Sequence, residues 1–226
     1  MPSLSTQLIH LCAALLLLLA FAMLAQRRVA NLVGLFAAQG LILAVCAAVV
    51  ASSTGQRELY ESAALTLLLK VLVLPAILRR LIRRLHAEWD TETLLRIPTM
   101  QIAGIVLVMF AFVLAQPISP FAGEATRGTL GIALAVVFLA MLMMIVRRTA
   151  IAQVIGFLAM ENGLLFAATS ATYGMPMVVE LGIGLDVLVG VFVLGIFFFQ
   201  IREQFESLEL RHLERLKDDG DEEGAP

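Results

Sequence analysis

Long apolar runs separated by short, arginine-rich polar breaks make up most of the chain. A hydrocarbon core of about 30 Å is crossed by roughly 18–25 helical residues, and in lipid each backbone N–H and C=O must find its partner within the helix. The runs predict seven spans, at 4–25, 29–51, 59–78, 99–116, 126–146, 150–173 and 177–201. The expected fold class is an all-α integral membrane protein with seven transmembrane helices. The first run has no basic residue before it and Arg27 and Arg28 after it, the reverse of a cleavable signal peptide, so it reads as a retained helix.

The breaks also orient the chain. Arg27, Arg28, Arg79, Arg80, Arg83, Arg84, Arg96, Arg147, Arg148, Arg202, Arg211, Arg215 and Lys217 fall on one side of a seven-span topology, and only Arg57 and Arg127 on the other. Thirteen basic residues against two place the N-terminus outside and the C-terminus in the cytoplasm of a plasma (inner) membrane protein. Residues 79–97 alternate Leu78, Leu81, Ile82, Leu85 and Trp89 with arginines, as in a helix lying in the cytoplasmic interface or one that extends the third span. After the last span, "REQFESLELRHLERLK" favours helix and "DDGDEEGAP" is acidic enough to stay disordered.

Two segments read as copies. "RRVANLVGLFAAQGLILAV" and "RRTAIAQVIGFLAMENGLLFA" each follow a span with paired arginines, and with a two-residue insertion Gly34 meets Gly156 and Gln39 meets Glu161. Further on, Glu61 falls opposite Glu180. Spans one to three then correspond to five to seven in a parallel 3+1+3 repeat, with the fourth as connector. The expected organisation is 1–98 (three spans and an interfacial segment), 99–117 (connecting span), 118–201 (three spans) and 202–226 (cytoplasmic helix and tail).

Composition excludes several chemistries. Of 226 residues, 60% are hydrophobic and 15% charged, and the net charge of −2 leaves no basic surface for nucleic acid. Cys12 and Cys46 are too few for an Fe–S or zinc cluster, and His10, His86 and His212 offer no facing pair for haem. No resident cofactor or metal is expected, and any redox centre would sit on another chain. No phosphate-binding loop, HExxH or nucleophile–base constellation occurs, so no catalytic residue is assigned.

The informative residues are the ionisable ones inside the spans: Lys70, Glu161, Glu180 and Asp186. A charge at the bilayer centre costs about 2.5–3.5 kcal/mol on an insertion scale, so such residues face protein or water and mark ion pathways. Glu161 lies about eleven residues into its span, ~16 Å deep at 1.5 Å per residue. Thr172 and Thr169 give it a mildly polar stripe. Asp186 is at comparable depth, framed by Gly182 and Gly190, which would let a neighbouring helix close over it. Glu180, near Pro176, belongs to the outer leaflet, as an entrance position or a solvated carboxylate. Lys70 shares a polar face with Thr66 and Ser62, and Pro75 cannot donate to the Val71 carbonyl, which should distort the helix beside the lysine. These groups read either as a protonatable relay or as a structural ion pair of Lys70 with Glu161 or Asp186.

"GFLAMENGLLFAA", "GMPMVVELGIGLDVLVGVFVLGIF" and "FESLELRHLERLKD" together resemble the C-terminal half of the hydrogenase-4 component E family, over about residues 150–217. The same half is more distantly similar to NuoK-type subunits of respiratory complex I and to the C subunit of Mrp cation antiporters. The resemblance implies a non-catalytic membrane-arm subunit of a complex I-related, formate-hydrogenlyase-type assembly with antiporter-like partner subunits, in which electron transfer elsewhere drives proton or sodium movement. It also implies that Glu161 takes the place of a second-helix glutamate, and that Glu180 or Asp186 takes that of a third-helix one. The alternatives are a stand-alone homo-oligomeric transporter, or a seven-helix retinal protein, which the absence of a lysine in the last span opposes.

Overall fold

Every apolar run between residues 4 and 172 forms a helix. A computed structural model describes residues 4–55, 57–84, 95–117 and 124–172, with 188 and 190 as isolated positions. The helices are α1 (Leu4–Ala25), α2 (Val29–Thr54), α3 (Arg57–Thr66), a π-helical segment (Leu67–Val73), α4 (Leu74–Arg84), α5 (Ile97–Ala115), α6 (Glu124–Val146) and α7 (Ala150–Thr172). Because α3, the π segment and α4 run on as one span, the described residues contain six helical spans long and apolar enough to cross a membrane. The protein is thus a multi-pass membrane protein, helical throughout its described spans. The seventh expected span, the segment from Leu85 to Trp89 and the C-terminal helix and tail lie outside the described residues, as does nearly all of the separate unit Gly190–Pro226.

Four helices close a ring: α1 packs on α2 and α6, and α7 packs on α2 and α6. On its outside α5 covers α6 and α1, while the third span lies along α2. Without a hydrophobic drive between helices in lipid, close approach through small residues holds such seams. The α6–α7 seam illustrates it. A Cβ added at Gly156 would come within 2.7 Å of the Met144 side chain, and one at Gly163 within 2.9 Å of Val137. The α2–α3 corner turns at Gly55, whose φ of 70° is a left-handed conformation that glycine adopts without a Cβ clash, and its amide donates to the Ala51 carbonyl.

The π segment has a local cause. Pro75 lacks an N–H, so neither the Lys70 nor the Val71 carbonyl can be paired by it, and the Leu74 amide donates to Leu69, five residues back. The sequence predicts distortion at this point, and it takes the form of a widened turn centred on Lys70. In α4, Leu78, Leu81 and Ile82 are buried and Arg79, Arg80 and Arg83 exposed, so the amphipathic pattern begins as a continuation of the third span.

The paired arginines behave differently from one another. Arg147 is buried and its guanidinium donates to the carbonyls of Met23 and Leu24 in the last turn of α1 and of Gln26 just beyond it, while its own carbonyl accepts from the Gln153 side-chain amide. Helix C-termini leave carbonyls without donors, and a cation there also meets the negative end of the helix dipole. One side chain thus fastens the α6–α7 break to the end of α1. Arg147→Met should lower stability by about 2–3 kcal/mol, Arg147→Lys should recover only part of it, and exposed Arg28→Gln should be near neutral. Thermal unfolding in a mild detergent checks the order.

Candidate functional site: a buried lysine–glutamate pair

The site lies where α2, the π segment and α7 meet. Glu161 is the central residue of the 23-residue α7. Lys70 stands near the middle of the 25-residue span Leu59–Arg83, and Gln39 and Gly40 near the middle of the 26-residue α2. All three helices bring their polar residues to one depth.

There the Lys70 ammonium lies 3.2 Å from Oε1 of Glu161 and donates to Oδ1 of Asn162 at 2.8 Å. Lys70, Glu161, Asn162 and Gln39 are at most 1% exposed, so none of these groups faces lipid. Thr66 and Ser62 lie on the same buried side of the third span as Lys70, as their spacing predicts. The Gln39 amide has no hydrogen-bond partner among the described residues, nor has Nδ2 of Asn162. Unpaired hydrogen-bonding capacity thus lies at the mid-span level of the pair, in surroundings where such groups are costly.

Backbone geometry allows the pair to form. Gly40 of α2 sits against the π segment so closely that an added Cβ would lie 2.8 Å from Cβ of Lys70 and 3.4 Å from its carbonyl. The lysine stem passes across this bare patch of α2 to reach α7. The widened turn sets the bearing of Lys70, since an extra residue per turn rotates the residues on either side of it.

Of the four residues expected from sequence, Lys70 and Glu161 are brought together, whereas Asp186 and Glu180 lie outside the described residues. Thr169 returns its hydroxyl to the Leu165 carbonyl, so it does not extend a polar stripe, and the Thr172 side chain is outside the described set. Sequence reasoning missed Asn162 as the second partner of Lys70 and Gly40 as the notch that admits it. The signal for both was available, because Asn162 adjoins Glu161 and Gly40 adjoins Gln39, the residue aligned with Glu161 in the repeat. No group of His, Cys, Asp and Glu among the described residues could hold a metal, and Cys12 and Cys46 are free and buried.

These features define a multi-pass helical membrane protein whose helix seam is joined by a buried ion pair. The chain is 31% identical over 194 residues to a Mycobacterium tuberculosis protein named "Uncharacterized protein Rv0085", covering 85% of this chain and 88% of that one, and it belongs to the same family. It also resembles hydrogenase-4 component E of Escherichia coli K12 and of Shigella flexneri, at 24% identity over 184 residues, 81% of this chain and 85% of each relative. That extends the resemblance from the C-terminal half to most of the chain. No family model and no solved structure matches it.

Two outcomes follow from the geometry. Removing one member of a buried pair leaves the other uncompensated, so Lys70→Met and Glu161→Leu should each cost about 3–5 kcal/mol, and the double variant much less than their sum. Thermal unfolding of the four proteins of this cycle in lipid nanodiscs measures the coupling. Separately, Gly40→Ala should destabilise by about 1–3 kcal/mol through overpacking against Lys70, while Gly34→Ala, with nothing within 4 Å of the added carbon, should be neutral or mildly stabilising.

Proposed function

We propose that this chain is a membrane-arm subunit of a complex I-related, hydrogenase-type complex, in which it contributes to proton or sodium movement coupled to electron transfer in partner subunits. The observation that carries this reading is the Lys70–Glu161 pair with Asn162, buried at mid-span and built around a π-helical turn. The similarity to hydrogenase-4 component E, whose name places it among hydrogenase components, supplies the context.

The chemistry is one of charge switching. A carboxyl group in a dry seam favours its neutral form and a lysine alongside favours its charged form, so a proton arriving at or leaving the pair changes the balance between them. Glu161 is the group that accepts and releases the proton, Lys70 the cation that responds, and Asn162 a neutral acceptor that keeps the ammonium bound when the carboxylate is neutralised. Gln39 supplies a further polar group at the same depth. Asp186 continues the path at similar depth and Glu180 toward the outer surface, in a seventh span that brings the C-terminus to the cytoplasm of the plasma membrane and leaves the N-terminus outside.

A parallel duplication of spans one to three as five to seven is part of the same proposal. It is supported by the packing of α1 on α6 and of α2 on α7, each helix against its aligned counterpart, and by Gln39 and Glu161 both falling at the middle of their helices. The last three spans would then be the NuoK-like half, and antiporter-like subunits its neighbours.

Glu161→Gln keeps the shape and a carbonyl acceptor for Lys70 but removes the titratable proton. The complex should assemble, and ion movement in reconstituted vesicles should fall to a small fraction of the unmodified level. Asp186→Asn should act alike and Glu180→Gln less. Full pumping by both Glu161→Gln and Asp186→Asn would defeat the relay, and loss of assembly alone would leave the pair a structural one. A stable homo-oligomer purified in mild detergent without Fe–S or antiporter-like partners would instead favour a stand-alone transporter.

A further inference from the structure

The third span ends in an exposed face whose chemistry changes abruptly along its length. Leu68, Leu72 and Val73 are exposed by 49%, 57% and 38%, and one to two turns later the same side of the helix carries arginines. Ala76, Ile77, Arg79, Arg80 and Arg83 border an open groove of about 490 Å³. Positions 76, 79, 80 and 83 follow the i, i+3, i+4, i+7 spacing of one helical face, while Leu74, Leu78, Leu81 and Ile82 turn the opposite face into the protein.

Three guanidinium groups within five residues repel one another. Among the described residues no carboxylate pairs with any of them. Arg83 is held back against its own helix, its Nε donating to the Arg79 carbonyl at 3.4 Å. An arginine fork is shaped for two oxygens of a phosphate, and several forks on one turn can share a single anion.

We propose that this groove binds an anionic phospholipid, with the phosphate among Arg79, Arg80 and Arg83 and an acyl chain along Ile77, Val73 and Leu72. The apolar strip decides between the two sources of a phosphate group. A free phosphate ion would use only the arginines, whereas a lipid uses both parts of a face that passes from apolar to cationic along one helix, as a lipid passes from chain to headgroup. This inference does not depend on what the Lys70–Glu161 pair does.

The test uses the full chain in mild detergent, given equal amounts of phosphatidylglycerol and phosphatidylcholine, with bound lipid read by native mass spectrometry. The unmodified protein should retain phosphatidylglycerol over phosphatidylcholine by about fivefold or more. The triple variant Arg79→Gln/Arg80→Gln/Arg83→Gln should lose that preference, the corresponding triple lysine variant should keep part of it, and Arg28→Gln should keep all of it. Equal retention of both lipids by the unmodified protein, or an unchanged preference in the triple glutamine variant, overturns the proposal. So does displacement of the lipid by millimolar inorganic phosphate, which would make the site one for a soluble anion. A preference that emerges only in Glu88→Gln/Asp90→Asn/Glu92→Gln also overturns it, because the arginines would then be neutralised by that neighbouring acidic segment.

Discussion

Lys70 and Glu161 can be buried at mid-span only because they are buried together. Either charge alone would face the cost of desolvation in a medium that returns almost nothing, while at 3.2 Å in low dielectric the two attract strongly and Asn162 takes up a further ammonium proton. That mutual dependence ties the third span to α7 across α2. It also makes the site sensitive, since any event that neutralises one partner leaves the other in surroundings unsuited to it. A seam held by leucines would have no such response.

The rest of the described fold positions this contact. Gly40 leaves room on α2 for the Lys70 stem, where an added Cβ would collide with it, and the missing amide of Pro75 permits the widened turn in which Lys70 sits. Ring closure by α1, α2, α7 and α6 keeps Glu161 and Asn162 away from lipid. At the break between α6 and α7, Arg147 holds the last carbonyls of α1, so the start of α7 is fixed relative to α1 as well as to α6. The glycine contacts at Gly156 and Gly163 then set the distance at which α7 can present Glu161. Charge is thus placed by backbone proximity, and small residues do most of the placing.

Much of this was legible in the sequence because membrane helices are written in long apolar runs. The expected spans at 4–25, 29–51, 99–116, 126–146 and 150–173 match α1, α2, α5, α6 and α7 to within a few residues, and 59–78 falls inside the composite third span. Pro75 announced the distortion beside Lys70, and lone charges in apolar runs announced the site. The identity of the ion partner was not legible, since depth and helical bearing leave Glu161 and Asp186 equivalent for Lys70 until the packing order of the helices is known. In the sequence nothing local separates Arg147 from Arg148 within the basic break. The burial of Arg147 comes from the approach of α1, a contact between residues more than a hundred positions apart. The resemblance to the hydrogenase-4 component E family, read over about residues 150–217, extends over most of the chain in the comparison with hydrogenase-4 component E.

The central claim is that a lysine and a glutamate meet inside the membrane. It is tested most directly by magic-angle-spinning NMR of the protein in lipid bilayers, labelled with ¹⁵N at lysine and ¹³C at glutamate. Since Lys70 is the only lysine within a span, a dipolar contact between its ammonium nitrogen and the Glu161 carboxyl carbon, at the separation set by a 3.2 Å ion pair and abolished in Glu161→Gln, is the expected result. A lysine signal with no such contact, or one unchanged by Glu161→Gln, would contradict the account.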